Sequence, residues 1–210
     1  MHELGVVMKM LSRKGRVLEI GAGAGWQAQV FASCGLEVSA IDLPLSEFSE
    51  KRVWPIINYD GKQIPFANDE FDVVFSSNVL EHIPDVAQFQ KEIHRVLKPD
   101  GCAIHVLPSS SWRFWTSVTH ILRLWTLPKS HGEHAGNALI EICYFSRAWW
   151  RQLFLSTGWN IAAEKTNGLF YTGLSILDSR LSVGARRFLS RVFGSSCNIF
   201  LLQKASVPSE

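Results

Sequence analysis

Three glycines, Gly21, Gly23 and Gly25, follow the strand-forming run Val17, Leu18 and Ile20 in the stretch VLEIGAGAGW, with Glu19 two residues ahead of the first glycine. Glycine weakens regular structure but admits positive φ and close approach by another molecule, so such a cluster after a strand marks a turn that something touches. Main-chain N–H groups opening the next helix would favour a carboxylate or phosphate there. Asp42 ends the following apolar run EVSAID, where a carboxylate commonly accepts from ribose hydroxyls. Farther along, KSHGEHAGN gathers His131, Glu133 and His134 into a compact polar group. Histidine titrates near neutrality and can take a proton from a polarised hydroxyl. The H-x-x-H spacing lacks the i, i+4 step of a helical metal site, so no metal is expected and a plain polar loop stays open.

The glycine turn by itself fits three descriptions. A dinucleotide fingerprint needs G-x-G-x-x-G, and its sixth position here is Trp26. A phosphate-binding G-x-x-x-x-G-K-[ST] string does not occur anywhere in the chain. A turn that merely joins two elements remains. Asp60, in a YDG step, is likewise open between a turn residue and a ligand contact.

These residues need a frame, and the chain alternates strand and helix patterns. RVLEI, EVSAID, FDVVFSS and CAIHVLP read as strands, with VWPIINYD as a short one weakened by Pro55. FDVVFSS is apolar on both faces, as in the middle of a parallel sheet. WQAQVFASCG and VAQFQKEIHRVLK read as helices between them, and residues 3 to 13 as a covering helix. The alternation breaks between about Ser109 and Asn137. It resumes as a helix near 146–157, a strand in WNIAAE, a basic helix near 179–193 and a last strand, NIFLLQKA. The implied fold class is α/β, a doubly wound, mostly parallel seven-stranded sheet with helices on both faces. Residues 1–210 form one domain, with 109–145 inserted as a helical or loop lid carrying the acceptor side.

Composition excludes several classes. The 210 residues are 47% hydrophobic and 19% charged, which is globular rather than disordered. A net charge of +2 gives no reason to expect nucleic acid. The first residues lack the apolar core and cleavage site of a secretory signal, and no apolar run reaches the roughly 20 residues that span a bilayer. The four cysteines form no C-x-x-C pair, and Cys34 and Cys102 sit in segments that look buried, so reduced thiols in the cytoplasm are expected.

From Val17 to Pro108 the chain resembles the class I S-adenosylmethionine (SAM)-dependent methyltransferases, in their broad small-molecule branch. VLEIGAGAG, EVSAIDLP, YDGKQIPFANDEFDVVFSSNVLEHI and VLKPDGCAIHVLP carry the likeness, in the family's order and at compatible spacing. The resemblance implies SAM as cofactor and the following roles. Glu19 meets the methionine ammonium. Gly21, Ala22 and Gly23 offer bare backbone to the methionine and ribose portions. Asp42 accepts from the ribose hydroxyls, and Leu43 packs on the adenine. Asp60 accepts from the adenine amino group, Gly61 permits close approach, and Asn78 lines the methionine arm through its backbone. Glu81 is expected as a surface or cap residue, and Trp26 as a wall of the pocket or a contact for the covering helix.

The activity implied is methyl transfer by in-line displacement to a small-molecule, glycan or lipid-linked acceptor, with oxygen favoured and His134, His131 and Glu133 as candidate bases. Alternatives are an NAD(P)-dependent oxidoreductase on the same sheet and a catalytically silent SAM-binding protein. Trp112, Trp115, Val118, Thr119, Leu122 and Trp125 recur at helical spacing. They read either as core packing or as an aromatic lid, completed by Trp149 and Trp150, with peripheral membrane contact as a further possibility.

Overall fold

In the computed structural model, residues 2–11, 15–44, 49–132, 137–173 and 181–205 are described. The seven strands are β1 Arg16–Ile20, β2 Glu37–Asp42, β3 Ile57–Asn58, β4 Phe71–Ser77, β5 Leu97–Pro108, β6 Trp159–Thr166 and β7 Cys197–Lys204. They form one sheet in the order β3-β2-β1-β4-β5-β7-β6. β1 pairs in parallel with β2 and β4, and β2 with β3 and β4 with β5 likewise. β7 runs antiparallel between β5 and β6. The winding therefore reverses at β1, and the crevice beyond the carboxyl ends of β1 and β4 is where such sheets bind ligands.

Strand periodicity explains why both faces are covered. Leu18 and Ile20 of β1 and Val74 of β4 point into a cluster completed by helix α3 (Val86–Val96) and helix α6 (Arg147–Ser156), through Phe89, Ile93, Trp150 and Phe154. Val17, Val73 and Phe75 point the other way, against α1 (His2–Val7) and α2 (Trp26–Ser33), through Leu4, Val7 and Phe31. A side-chain period of two puts apolar residues on both faces of the central strands, which is why β4 reads as an unbroken apolar run. The Asp85 side chain accepts from the Gln88 amide and starts α3.

Several elements differ from the sequence expectation. The covering helix ends at Val7 and continues only as turn to Met10. The third strand shrinks to two residues, because Pro55 has no N–H to give a ladder. β5 begins five residues early, since Leu97 already pairs with Phe71. Cys34 is exposed and Cys102 half-buried rather than both buried, and all four cysteines are free. The break after Ser109 holds a regular helix, α4 (Ser110–Leu124), followed by α5 (Ala138–Tyr144). Helix α7 (Val183–Phe193) lies before β7.

Phe75 lies fully buried at mid-sheet and meets Phe31 edge-on, with ring centroids 5.0 Å apart. Phe75→Ala is expected to cost about 3–5 kcal/mol of stability, read as a lower denaturation midpoint with an unchanged slope. A loss under 1 kcal/mol would mean the two faces are not packed as described.

Candidate active site

The turn after β1 is held by main chain. The Gly21 and Ala22 amides both donate to the Ile41 carbonyl of β2, at 2.9 and 3.1 Å. Gly21 has φ of 68°, and a Cβ there would overlap the Val79 side chain. Gly25, at φ 83°, would set a Cβ 2.5 Å from that of Trp54. Any side chain at either place would need both a strained backbone and displaced neighbours. Asp42 fastens the turn to β2: its Oδ2 accepts from the Gly23 amide at 2.8 Å, and its Oδ1 from the Leu43 amide at 2.7 Å.

Seven of the nine expected cofactor residues, Gly21, Gly23, Asp42, Leu43, Asp60, Gly61 and Asn78, line one cavity of about 740 Å³. They come from four segments, at the ends of β1, β2 and β4 and after β3. Asp60 is exposed, and its Oδ1 accepts from the Gln63 and Lys62 amides at 2.8 Å each; these bonds hold its carboxyl below the usual range. It is thus a turn residue and a cavity wall at once. Asn78 sits in the left-handed region at φ 54°, which asparagine tolerates, and its amide donates to Val106 of β5. Tyr59 also lines the cavity, where burial first, then the charges of Asp42 and Asp60, raise its hydroxyl pKa and keep it protonated. It belongs to the same YDG step as Asp60 and Gly61, and that step is the sequence signal for it.

Ala22 is buried beside the turn rather than in the cavity wall. Glu19 lies under the turn, 1% exposed, with neither carboxylate oxygen hydrogen-bonded among the described residues. Burial, offset in part by the Ala28 main-chain amide and reinforced by the Asp42 charge, pushes its carboxyl up to about 8. An orphaned buried carboxylate beneath bare main chain is suited to an ammonium group.

Of the three candidate bases, Glu133 and His134 lie outside the described residues. His131 stands at the mouth of the large cavity and also lines a second, of about 230 Å³, with Asn78, Trp112 and Tyr171. Partial burial, then the neighbouring His82 and Arg113 charges, push its imidazole down to about 4, so it is neutral at pH 7 with a lone pair to offer. Its position is imposed from behind. Glu141 of α5 accepts from the His131 and Gly132 amides at 2.5 and 2.8 Å and is paired with Arg113 of α4 at 2.5 Å. Arg113 and Glu141 are 2% and 1% exposed.

Glu81 corrects the surface expectation. It belongs to a 3₁₀ turn, Leu80–His82, that directs its side chain inward, and it is 0% exposed. Burial pushes its carboxyl up to about 8. Neither oxygen has a hydrogen-bond partner among the described residues. Trp26 is mostly exposed and lines neither cavity. Trp112 does reach the smaller cavity, 4.9 Å from His131 between ring centroids, whereas Trp150 is core and Trp149 packs on Tyr144.

A parallel sheet reversing at β1, with a glycine turn and acidic strand ends around one cavity, is the arrangement of class I SAM-dependent methyltransferases. A family of methyltransferase domains matches residues 4–164, and the chain belongs to it. An uncharacterized methyltransferase of Mycobacterium leprae is 32% identical over 97 residues, 43% of this chain and 36% of that protein; the match thus spans about a third of the relative's length. A SAM-dependent methyltransferase of Mesorhizobium loti superposes with a TM-score of 0.66 at 15% identity, over 97% of this chain and 98% of the other. The Burkholderia thailandensis 1,6-didemethyltoxoflavin-N1-methyltransferase, solved with S-adenosylhomocysteine, gives 0.59 at 15% identity, over 97% and 77%. SAM is the family's cofactor, and the orphaned Glu19 and the bare Gly21 turn fit it. Among the described residues no helix is long and apolar enough to cross a membrane.

Glu19 carries a pH signature. Its carboxyl titrates near 8 in the fold and near 4.5 in the unfolded chain. Between those values the unfolded chain gives up a proton that the fold retains, so the residue's contribution to stability falls as pH rises. Glu19→Gln in the cofactor-free protein should therefore gain steadily on the parent from pH 4.5 to 8, by on the order of a few kcal/mol at the upper end. Denaturation midpoints across that range test it, and parallel curves would remove the assignment.

Proposed function

We propose that the chain transfers a methyl group from SAM to a small-molecule acceptor, oxygen favoured, seated where the two cavities meet. When bound, SAM supplies an electrophilic sulfonium methyl that an electron-rich atom displaces in line. The chain's own part is positioning, which can lower a barrier by roughly 7–11 kcal/mol in favourable cases. Glu19 receives the amino-acid ammonium. Asp42 has about four lone-pair sites; two hold the Gly23 and Leu43 amides and the others remain for ribose hydroxyls. Asp60 uses Oδ1 for its own turn, which leaves Oδ2 for the adenine amino group. His131 faces the acceptor with a free lone pair. The observation that carries this reading is the convergence of seven residues, from four separate segments of the chain, on one cavity.

The smaller cavity limits the acceptor. At about 230 Å³ it lies below the roughly 300–1,000 Å³ of ordinary ligand pockets, so it suits a compact group. We read 109–145 as the acceptor side of a single domain, since α4 gives Trp112 and the following loop His131. Free thiols fit a reducing, cytoplasmic setting.

Calorimetry with SAM and with NAD tests the cofactor assignment. Asp42→Ala should weaken SAM binding by about 1–3 kcal/mol. NAD binding, or unchanged SAM affinity in the variant, would overturn it. SAM binding without labelled methyl transfer across an acceptor panel would favour a silent binding protein.

One observation supports a lipid-linked acceptor as the second reading. Ile121, Leu122, Leu124, Trp125 and Leu127 are exposed at the end of α4, beside Arg123 and Lys129. No acidic residue occurs from 110 to 132. Apolar side chains with a basic fringe suit an anionic lipid surface. Sedimentation with phosphatidylserine-containing vesicles should be salt-sensitive and weaken in Trp125→Ala, while neutral vesicles bind little. Equal indifference to both vesicles would discard the lipid reading.

A further inference from the structure

We propose that Glu81, His82 and His131 form a binding site for a divalent transition-metal ion of the zinc class, set in the wall shared by the two cavities. The carboxylate of Glu81 is fully enclosed, and both oxygens lack a hydrogen-bond partner among the described residues. An ionised carboxylate in that position needs a cation or a proton to be tolerated. Two ring nitrogens face it from different segments. His82 Nε2 and His131 Nε2 each lie 4.0 Å from Glu81 Oε1.

At that distance neither ring makes a hydrogen bond to the carboxylate. The three ligating atoms nevertheless lie within 4.8 Å of one another. Bonds of about 2.0–2.2 Å to a tetrahedral ion would put them roughly 3.3–3.6 Å apart, so binding needs closure by about half an ångström between Glu81 and each ring and by roughly 1–1.5 Å across the widest pair. The histidine side chains are 43% and 38% exposed, so the rings rather than the buried Glu81 have room to move.

The cluster is built rather than incidental. The 3₁₀ turn fixes Glu81 beside His82. The His131 loop is pressed onto that turn so closely that a Cβ on Gly132 would lie 2.7 Å from the Glu81 carbonyl oxygen. Glu141 and Arg113 hold the loop there from behind. Two imidazoles and one carboxylate suit Zn(II) or Co(II) over Mg(II) and leave a coordination position open. Both histidines line the large cavity and His131 the small one too, so the open position is within reach of an oxygen-bearing acceptor. That last step rests on the function proposed above and takes the place of His131 as base, because an ion on Nε2 would occupy the ring's one lone pair; ion binding itself does not rest on it.

Chelator-stripped protein would be titrated with Zn²⁺ against a chromophoric chelator, and with Co²⁺ by visible absorption. One ion per chain is expected, with affinity about tenfold or more weaker in each of Glu81→Gln, His82→Ala and His131→Ala. His120→Ala, on α4 outside the cluster, should bind like the parent. Melting curves report folding, and if Glu81→Gln does not fold the two histidine variants decide. Absence of stoichiometric uptake, or uptake unchanged in both histidine variants, would overturn the site and leave a proton on Glu81 as its counterpart. SAM calorimetry on the same samples keeps the questions apart: SAM bound with no ion uptake defeats the metal site alone.

Discussion

The site depends on two adjacent amides, Gly21 and Ala22, giving their hydrogens to a single carbonyl, that of Ile41. Parallel pairing of β1 with β2 brings that carbonyl to the crest of the sheet, and the reversal toward β4 opens the crevice beside it. Once both donors point sideways into β2, the chain must turn within a few residues. Positive φ at Gly21, Gly23 and Gly25 is the conformational consequence. Asp42 completes the arrangement by accepting from Gly23, so the residue that bounds the cavity also fixes its floor. Sheet register, turn and ligand-facing carboxylate are a single hydrogen-bonded unit, and none can shift without the others.

Around this unit, three enclosed carboxylates show how surroundings decide what an acidic residue does. Glu141 meets Arg113 and two backbone amides, and its charge is matched. Burial of such a pair gains little over an apolar core, but losing either member strands a charge, typically at about 3–5 kcal/mol. Glu19 and Glu81 have no such match among the described residues, and both titrate near 8. Unmatched carboxylates are costly to keep in a core; Glu19 is one residue short of the end of β1, and Glu81 is followed in its turn by His82, which lines the larger cavity. Their isolation is what makes each receptive to a positive group from outside.

The cofactor half was legible in the sequence because its constraints are local. A strand ending in glycines, a strand ending in aspartate and an Asp-Gly step each need particular residue types within a few positions, and the bounds of β1, β2 and β4 were readable to the residue. The acceptor half was not, because it is assembled from distant segments. In α4 the tryptophan spacing left core packing and an aromatic lid both open; Trp112 and Trp115 are half-buried, and the fully buried residues are Arg113, Thr116 and Ser117. Their partners explain why polar residues sit there: Arg113 pairs with Glu141, and Thr116 Oγ1 accepts from the Gly173 amide. Periodicity gives the faces of a helix but not which face a polar interior will select. Glu81 was misread for a related reason, since a lone acidic side chain is exposed by default unless its neighbours are known.

This division has a physical consequence for the two halves. Around the glycine turn the larger cavity is walled by main chain and short side chains fixed to strands, with little freedom to change. The part around His131 hangs on side chains from α4, α5 and a loop, joined through Arg113 and Glu141. The His131 amide follows Glu141, Glu141 follows Arg113, and Arg113 also donates to the Lys129 carbonyl at 2.7 Å at the start of the same loop. The pair thus clamps the loop at Lys129 and again at His131 and Gly132, and passes the placement of α4 on to the imidazole. If the smaller cavity takes the acceptor as proposed, a group lying against Trp112 would bear on the helix that sets His131. The filling of that cavity and the placement of the imidazole would then be coupled through one buried ion pair, while the glycine turn remains tied to the sheet.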